Sequence, residues 1–211
     1  MHTQTNVLLI HGLWMGPGVM RFLGERLKRE GFQPHFFGYS SIKDGPERGL
    51  AALQARITQL DTPHLVGHSL GGLMAMALLE TAQDVAVGRT VCLGSPLCGS
   101  AAARGIAKLP GGVRMLGKSQ HILANGFSKA THQHQVGMIA GSKPIGLGCV
   151  VGRIARPHDG SVGLSETQLP GLTDHITIHA SHTGMNFSPQ AAQLVVQFLR
   201  HGRFQHDLRR P

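Results

Sequence analysis

The chain has 211 residues, of which 41% are hydrophobic, and this is enough to bury one core of ordinary size. It contains 29 glycines and only 15% charged residues, a balance that excludes a disordered chain or a coiled coil. We therefore expect a single α/β domain over residues 1–211, with many tight turns between buried elements.

The N-terminus and the cysteines bear on where the protein works. Residues 1–10 lack the basic start, long apolar core and small-residue cleavage site of a secretory signal. No later run of about 18 apolar residues could span a membrane. Cys92, Cys98 and Cys149 are odd in number and without metal-type spacing, which is typical of reduced thiols. The sequence thus predicts a cytoplasmic protein with no transmembrane segment.

The formal net charge of +9 is concentrated in one part of the chain, which we call the basic block, residues 85–158. It has no Asp or Glu and nine basic residues, whereas the other 11 Lys and Arg equal the 11 acidic residues in number. The nine are Arg89, Arg104, Lys108, Arg114, Lys118, Lys129, Lys143, Arg153 and Arg156. Such a field favours an anionic substrate, an acidic carrier protein or lipid head groups, unless it is only a solvated surface. Nucleic acid is not expected, because no reader motif accompanies the charge.

The first part of the chain alternates between strand and helix patterns. Apolar runs bounded by glycine or proline predict strands at 5–12, 34–40 and 63–69. Apolar residues at helical spacing predict helices at 18–31 and 46–60. This β-α-β-α-β order is typical of a parallel sheet.

The remaining elements extend the same pattern. A helix that is apolar nearly all round is predicted over 70–84, followed by strands at 88–96, 134–142 and 174–181. A last helix over 188–202 has Ser188 as its N-cap and Pro189 at its first position. We therefore predict a mostly parallel sheet of about six strands with helices on both faces.

The connection at residues 99–134 is longer than a normal loop between two strands and carries scattered apolar residues. We expect this segment to be a small cap or lid over a pocket.

The stretch "LVGHSLGG" places Ser69 in a glycine-rich turn between a strand and a helix. A serine hydroxyl needs a base, an orienting acid and oxyanion donors before it can attack a carbonyl. A sharp turn requires small neighbours, which Gly67 and Gly71 provide, and Gly72 lets the helix pack close to the sheet. Together with "VLLIHGLW" at 7–14, the stretch resembles the α/β-hydrolase superfamily, in particular small bacterial lipase-like serine esterases, with Ser69 as the nucleophile.

The resemblance implies a triad in the chain order Ser, acid, His. After Ser69 the carboxylates are Glu80, Asp84, Asp159, Glu166, Asp174 and Asp207. Glu80 and Asp84 lie on or just past the helix that follows Ser69 and should point away from the site. Asp207 comes after every plausible histidine, so none of these three is the expected acid. Asp159, in a turn after an apolar region, is the preferred acid, with Glu166 and Asp174 as alternatives.

The resemblance also implies a base in the loop after the last strand. "DHITIHASHTGM" offers His175, His179 and His182. The first two fall on the predicted strand, and His182 lies beyond it, so His182 is the preferred base and His179 the main alternative.

The oxyanion hole implied by the resemblance uses the backbone N–H groups of Leu70 and Leu13, and Trp14 would line the acyl pocket. His11 and His68 are expected to shape the loops rather than to react. These assignments predict a hydrolase of carboxylic esters or thioesters, acting on a small-molecule or lipid substrate without a cofactor.

Three rival functions were weighed. Acyl transfer could use the same triad, and a binding protein could use the same fold without catalysis. A metal site could be built from His132 and His134, or from His175, His179 and His182, but it would leave the serine turn unexplained. The basic block would also allow peripheral contact with a membrane surface.

Overall fold

The computed structural model describes residues 5–82, 85–130, 133–146 and 154–206. Within these ranges, six parallel strands form one sheet in the order β2-β1-β3-β4-β5-β6. The strands are β1 (Asn6–Ile10), β2 (Gln33–Phe37), β3 (His64–His68), β4 (Thr90–Leu93), β5 (Val136–Gly141) and β6 (Asp174–Ile178).

The four inner strands are almost entirely buried, whereas the edge strands β2 and β6 are partly exposed. Parallel strands covered on both faces are continuous apolar runs, which is why "VLLI" and "TVCL" lack the alternation of a half-exposed strand. In register, Leu8 pairs with Leu65, and Gly67 pairs with Cys92. The carboxyl ends of β1, β3 and β4 therefore meet at one edge of the sheet.

Helices connect the strands and cover both faces. The α-helices are α1 (Arg21–Arg29), α2 (Gly45–Ile57), α3 (Leu70–Thr81), α4 (Ala101–Ala107), α5 (Gly112–Leu116), α6 (Gln120–Asn125) and α7 (Pro189–His201). Short 3-10 turns occupy Pro17–Met20, Gly117–Ser119, Leu164–Thr167 and Thr183–Phe187. We call the segment from α4 to α6, between β4 and β5, the helical insertion.

Two apolar clusters divide the core at the sheet. Leu8 and Ile10 pack with α2, α3 and the helical insertion on one face. Val7 and Leu9 point the other way and pack with α1 and α7. This alternation along β1 buries both of its faces, and the predicted parallel sheet with helices on both sides is confirmed.

Differences from the predicted elements lie at their ends. The predicted helix from residue 18 starts as a 3-10 turn and becomes α-helical at Arg21. The strand predicted over 174–181 ends at Ile178, so His179 follows the strand and is exposed. Ser188 does cap α7, because its hydroxyl accepts the Ala191 N–H at 3.2 Å. The last two residues of the predicted 70–84 helix lie outside the described ranges.

In the described part of the chain, no helix is long and apolar enough to cross a membrane.

Candidate active site

Ser69 lies at the turn from β3 to α3 in a backbone conformation that few L-residues adopt. Its φ is +54° and its ψ is −118°, and its N–H donates to the Leu93 carbonyl of β4 at 2.9 Å. Such strained residues cluster at functional sites, where the surrounding structure maintains them. The conformation directs the chain sharply from the end of a strand into a helix.

The glycines on either side of Ser69 allow this turn to close. A Cβ atom on Gly67 would overlap the backbone of Gly71 and Gly72, and one on Gly71 would overlap the Ile10 carbonyl. Any side chain at these positions would push α3 away from β1 and β3. The first turn of α3 can therefore lie directly against the carboxyl ends of these strands.

Asp159 is held by backbone N–H groups of its own loop. Its side chain is 1% exposed, and Oδ1 accepts from the N–H groups of Ser161 at 2.9 Å and Val162 at 2.7 Å. These bonds fix the carboxylate and leave Oδ2 to face His182.

The imidazole of His182 and the carboxylate of Asp159 form a buried pair. His182 Nδ1 is 2.7 Å from Asp159 Oδ2, and the His182 N–H donates to the Asp159 carbonyl at 2.9 Å. Since an ionised carboxylate only accepts, Nδ1 carries the proton, and Nε2 of the neutral ring is left as an acceptor. The pair thus sets the tautomer that a general base requires.

His68 supports His182 from below. His68 is fully buried, and its Nε2 donates to the His182 carbonyl at 3.0 Å, while the two ring centroids are 4.8 Å apart. Burial, with a smaller effect from the neighbouring His182, lowers the pKa of His68 to about 3. His68 therefore stays neutral, and its hydrogen bond goes to the backbone carbonyl of His182 rather than to a ring nitrogen of His182.

His11 has a comparable structural position at the end of β1. Its buried ring stacks on Tyr39 at 4.6 Å, and Nδ1 donates to the Gly12 carbonyl at 2.9 Å. The Tyr39 hydroxyl donates to the His11 carbonyl at 3.0 Å. Burial lowers the pKa of His11, so this ring is also held neutral.

Ser69 and His182 line one cavity of about 490 Å³, within the usual range for small-molecule sites. Most of its wall is apolar, and among the described residues no Lys, Arg, Asp or Glu side chain lines it. The helical insertion contributes a large part of the wall: Ser100, Ala102, Ala103, Ile106, Leu109, Met115, Leu116 and Leu123. The loop after β1 contributes Gly12, Leu13, Trp14 and Met15.

Of the two predicted oxyanion donors, Leu13 lines this cavity, and Leu70 directly follows the cavity-lining Ser69. Leu70 is the first residue of α3, so its N–H has no acceptor within the helix. Leu13 lines the cavity, and a Cβ at the preceding Gly12 would lie 3.1 Å from Ser69 Cβ. The β1 loop therefore passes directly beside the serine.

Trp14 is held at the cavity by both its backbone and its ring. It adopts a φ of +58°, its N–H donates to Ser41 Oγ at 3.2 Å, and its Nε1–H donates to the Met115 carbonyl at 2.9 Å. The second bond joins the β1 loop to α5. Nothing in the sequence around Met115 marks this contact, because it depends on a backbone carbonyl.

The alternative acids are engaged elsewhere. Glu166 is buried and accepts the N–H groups of Ala101 at 2.6 Å and Gly163 at 2.9 Å. Asp174 lies at the start of β6 and accepts from the Phe204 N–H and His206 Nε2. Glu80 is exposed near the end of α3. Asp84 and Asp207 lie outside the described residues.

The alternative histidines are likewise apart from the Asp159 carboxylate. His175 Nε2 is 2.9 Å from Thr167 Oγ1, and His179 is exposed beyond β6. Among the described residues, no group of three or more His, Cys, Asp or Glu could hold a metal ion. His132, one of the pair considered for a metal, and Cys149 lie outside the described ranges.

The sequence matches the model of the alpha/beta hydrolase family over residues 7–145, and the chain belongs to this family. No curated protein sequence gave a match.

Solved structures similar to the chain carry the same fold. A lipase of Bacillus licheniformis in its mature form has a TM-score of 0.78 at 18% identity, with 94% of this chain and 93% of the lipase covered. A metagenomic carboxyl esterase has a TM-score of 0.71 at 16% identity, covering 95% of this chain and 76% of the esterase. A pyrethroid hydrolase from Sphingobium faniae has a TM-score of 0.64 at 14% identity, covering 94% and 98%.

Proposed function

We propose that the protein is a serine hydrolase that cleaves carboxylic esters or thioesters through an acyl-enzyme on Ser69. The observation that carries this proposal is the 2.7 Å contact between His182 Nδ1 and Asp159 Oδ2, made by a histidine that lines one cavity together with Ser69. The strained turn at Ser69 and the family membership support it. The names of the similar structures, which include a lipase and a carboxyl esterase, favour the same chemistry.

In the proposed reaction, Ser69 Oγ attacks the substrate carbonyl carbon, and His182 Nε2 takes the proton of the Ser69 hydroxyl. The N–H groups of Leu70 and Leu13 would stabilise the oxyanion. The intermediate then collapses as His182 returns the proton to the departing alcohol or thiol. Water, activated by His182, releases the carboxylic acid and regenerates Ser69. Asp159 orients His182 and stabilises its protonated form.

The lining of the cavity indicates which part of the substrate enters it. Apolar walls stabilise a buried hydrocarbon group, and the described lining residues include no Lys or Arg that could pair with a buried anionic group. We propose that the acyl part of a small ester or lipid lies here, with Trp14 and the helical insertion as pocket wall and cap.

An active-site label tests the nucleophile. A fluorophosphonate probe is expected to modify the wild-type protein and to leave Ser69→Ala unmodified. Ser161→Ala is the matched control, because Ser161 lines the same cavity but does not follow β3. An unlabelled wild type would favour the binding-protein alternative, and equal labelling of Ser69→Ala would exclude Ser69.

Turnover separates the base from its alternative. His182→Ala is expected to abolish hydrolysis of p-nitrophenyl esters with little change in Tm, whereas His179→Ala is expected to retain it. The reverse result would move the base to His179.

Products formed with an added alcohol distinguish hydrolysis from acyl transfer, because a transferase would form the new ester in preference to the free acid.

A further inference from the structure

Large apolar side chains are exposed around the opening of the cavity. Trp14, Leu109, Val113 and Met115 are each between 46% and 52% exposed, and we call them the mouth patch. Three of them, Trp14, Leu109 and Met115, also line the cavity, which places them at its rim. Exposed apolar groups gathered in one place mark interaction sites more often than scattered ones do.

Contacts on the backbone make the mouth patch one surface. The Trp14 indole donates to the Met115 carbonyl at 2.9 Å, and the Gly112 N–H donates to the Leu109 carbonyl at 2.9 Å. Val113 lies between these residues on α5. Ile145, beside the cavity-lining Gly146, adds a further apolar side chain that is 61% exposed.

Exposed cations accompany the mouth patch. Arg104, Lys108, Arg114 and Lys118, which we call the cationic rim, are exposed on the helical insertion, and residues 99–134 contain no acid. Lys108 adjoins Leu109, and Arg114 lies between Val113 and Met115. Two of the four cations therefore adjoin mouth-patch residues along the chain, and none of the four lines the interior of the cavity.

Acidic side chains also lie on the elements next to the insertion, but few of them are exposed. Asp44 accepts the Ser40 N–H at 2.8 Å, and the buried Glu166 accepts two backbone N–H groups. Glu47 on α2 and Glu80 on α3 are exposed on the two helices that contact the insertion. These two helices thus carry two exposed acids, Glu47 and Glu80, whereas the insertion carries four exposed cations.

We propose that the mouth patch docks on the surface of an anionic lipid membrane, with the cationic rim on the head groups. A membrane satisfies both features, because its acyl region takes the apolar side chains while its phosphates pair with Lys and Arg. Tryptophan favours this interfacial depth. The docked orientation turns the opening of the apolar cavity toward the lipid.

Binding to vesicles tests the proposal independently of catalysis when it is measured on Ser69→Ala. Trp14 is the only tryptophan in the chain, so its emission reports directly on the mouth patch. With vesicles of phosphatidylcholine containing phosphatidylglycerol, we expect a blue shift and protection from an aqueous quencher. Phosphatidylcholine alone is expected to give little shift, and high salt is expected to reverse the binding.

Paired variants locate the contact. Lys108→Gln with Lys118→Gln is expected to weaken vesicle partitioning about 30-fold, since each cation near an anionic surface contributes about fivefold. Lys28→Gln with Arg29→Gln is the control, because it removes equal charge from α1 on the other face of the sheet. Leu109→Ser with Val113→Ser is expected to remove the fluorescence shift, whereas Phe36→Ser on β2 is expected to retain it.

Several outcomes would overturn the proposal. Equal partitioning into neutral and anionic vesicles, or an equal loss in the α1 control, would remove the role of the cationic rim. If Leu109→Ser with Val113→Ser bound vesicles as well as Ser69→Ala does, the apolar side chains would have no role and the contact would be purely electrostatic. An equal fluorescence shift with polyglutamate would indicate an acidic macromolecule instead of a lipid surface. Comparing the Tm of every variant with that of Ser69→Ala shows whether each one is folded.

Discussion

The buried His11 and His68 lie next to the candidate site without lining its cavity. Of the two, His68 has the more direct contact, because it bonds to His182. The His68 ring donates to the backbone carbonyl of His182, so it acts on the position of that residue. Its Nδ1 has no partner among the described residues, and its lowered pKa keeps the ring neutral. These features make His68 a positioning residue in our proposed mechanism.

Replacing His68 should affect the rate more than substrate binding. His68→Phe keeps a ring of similar shape but loses the bond to the His182 carbonyl, and small misplacements of a catalytic group can lower rates by about 100-fold. We expect kcat to fall by about 10- to 100-fold with KM nearly unchanged, as measured on a soluble ester. His68→Asn, whose amide can donate, is expected to recover part of kcat. A matched fall in kcat and Tm in both variants would instead indicate a structural role.

The choice between carboxylates shows how far sequence reasoning reaches at this scale. Asp159 and Glu166 lie seven positions apart in one loop, and both are buried. The turn after an apolar region favours Asp159, but the sequence does not show that both carboxylate oxygens of Glu166 accept backbone N–H groups. Long-range hydrogen bonds of this kind depend on how the chain folds and leave no local pattern.

Among the elements, the helical insertion is joined to the loop of Asp159 through Glu166. Oε1 accepts from Ala101 at the start of α4, Oε2 accepts from Gly163, and the Glu166 carbonyl accepts the Cys98 N–H at 2.8 Å. The segment that lines much of the cavity and the loop that bears the candidate acid are thus connected by one buried side chain.

Glu166→Ala is expected to lower the free energy of unfolding by about 1–3 kcal/mol, because two buried N–H groups lose their acceptor. Chemical denaturation followed by circular dichroism measures this change. Glu80→Ala, an exposed glutamate on α3, is the control and should stay within about 0.5 kcal/mol of wild type. Equal effects of the two changes would remove the special role of Glu166.

Elements with a clear periodicity could be predicted, and those without one could not. The six strands and the helices that connect them follow from apolar runs and helical spacing. The helices of the insertion have only 7, 5 and 6 residues, too few turns for a periodic signal, so the sequence indicated a cap but not its structure. The positions of its apolar residues at the cavity depend on tertiary packing.

At the scale of the whole molecule, the fully buried His68 and the half-buried His64 couple stability to pH. Burial lowers the pKa of His68 to about 3, and burial with the charge of Arg89 lowers that of His64 to about 4. On unfolding, both return to the ordinary value near 6.5. Below that pH the unfolded chain binds more protons than the folded one, so stability rises with pH in this window.

We therefore expect the contribution of these two histidines to the free energy of unfolding to be complete above about pH 6.5. This contribution should fall as the pH decreases toward 4. The fully buried His68 contributes up to about 1.4 kcal/mol per pH unit. Urea denaturation at a series of pH values between 7.5 and 4.5 gives the free energy of unfolding at each pH, and hence its slope with pH. His68→Phe should have a shallower slope than wild type, and an unchanged slope would exclude His68 as a source.

The order of the strands has a consequence for incomplete chains. β1 lies between β2 and β3, so the sheet grows outward from its earliest strands, and β6 is added last at the edge. A product that terminates before β6 would contain Ser69 and Asp159 but not His182, and it would leave the buried strand β5 as an open edge. Open apolar edges invite pairing with other chains. We expect such fragments to lack activity toward esters and to aggregate through the open edge of β5.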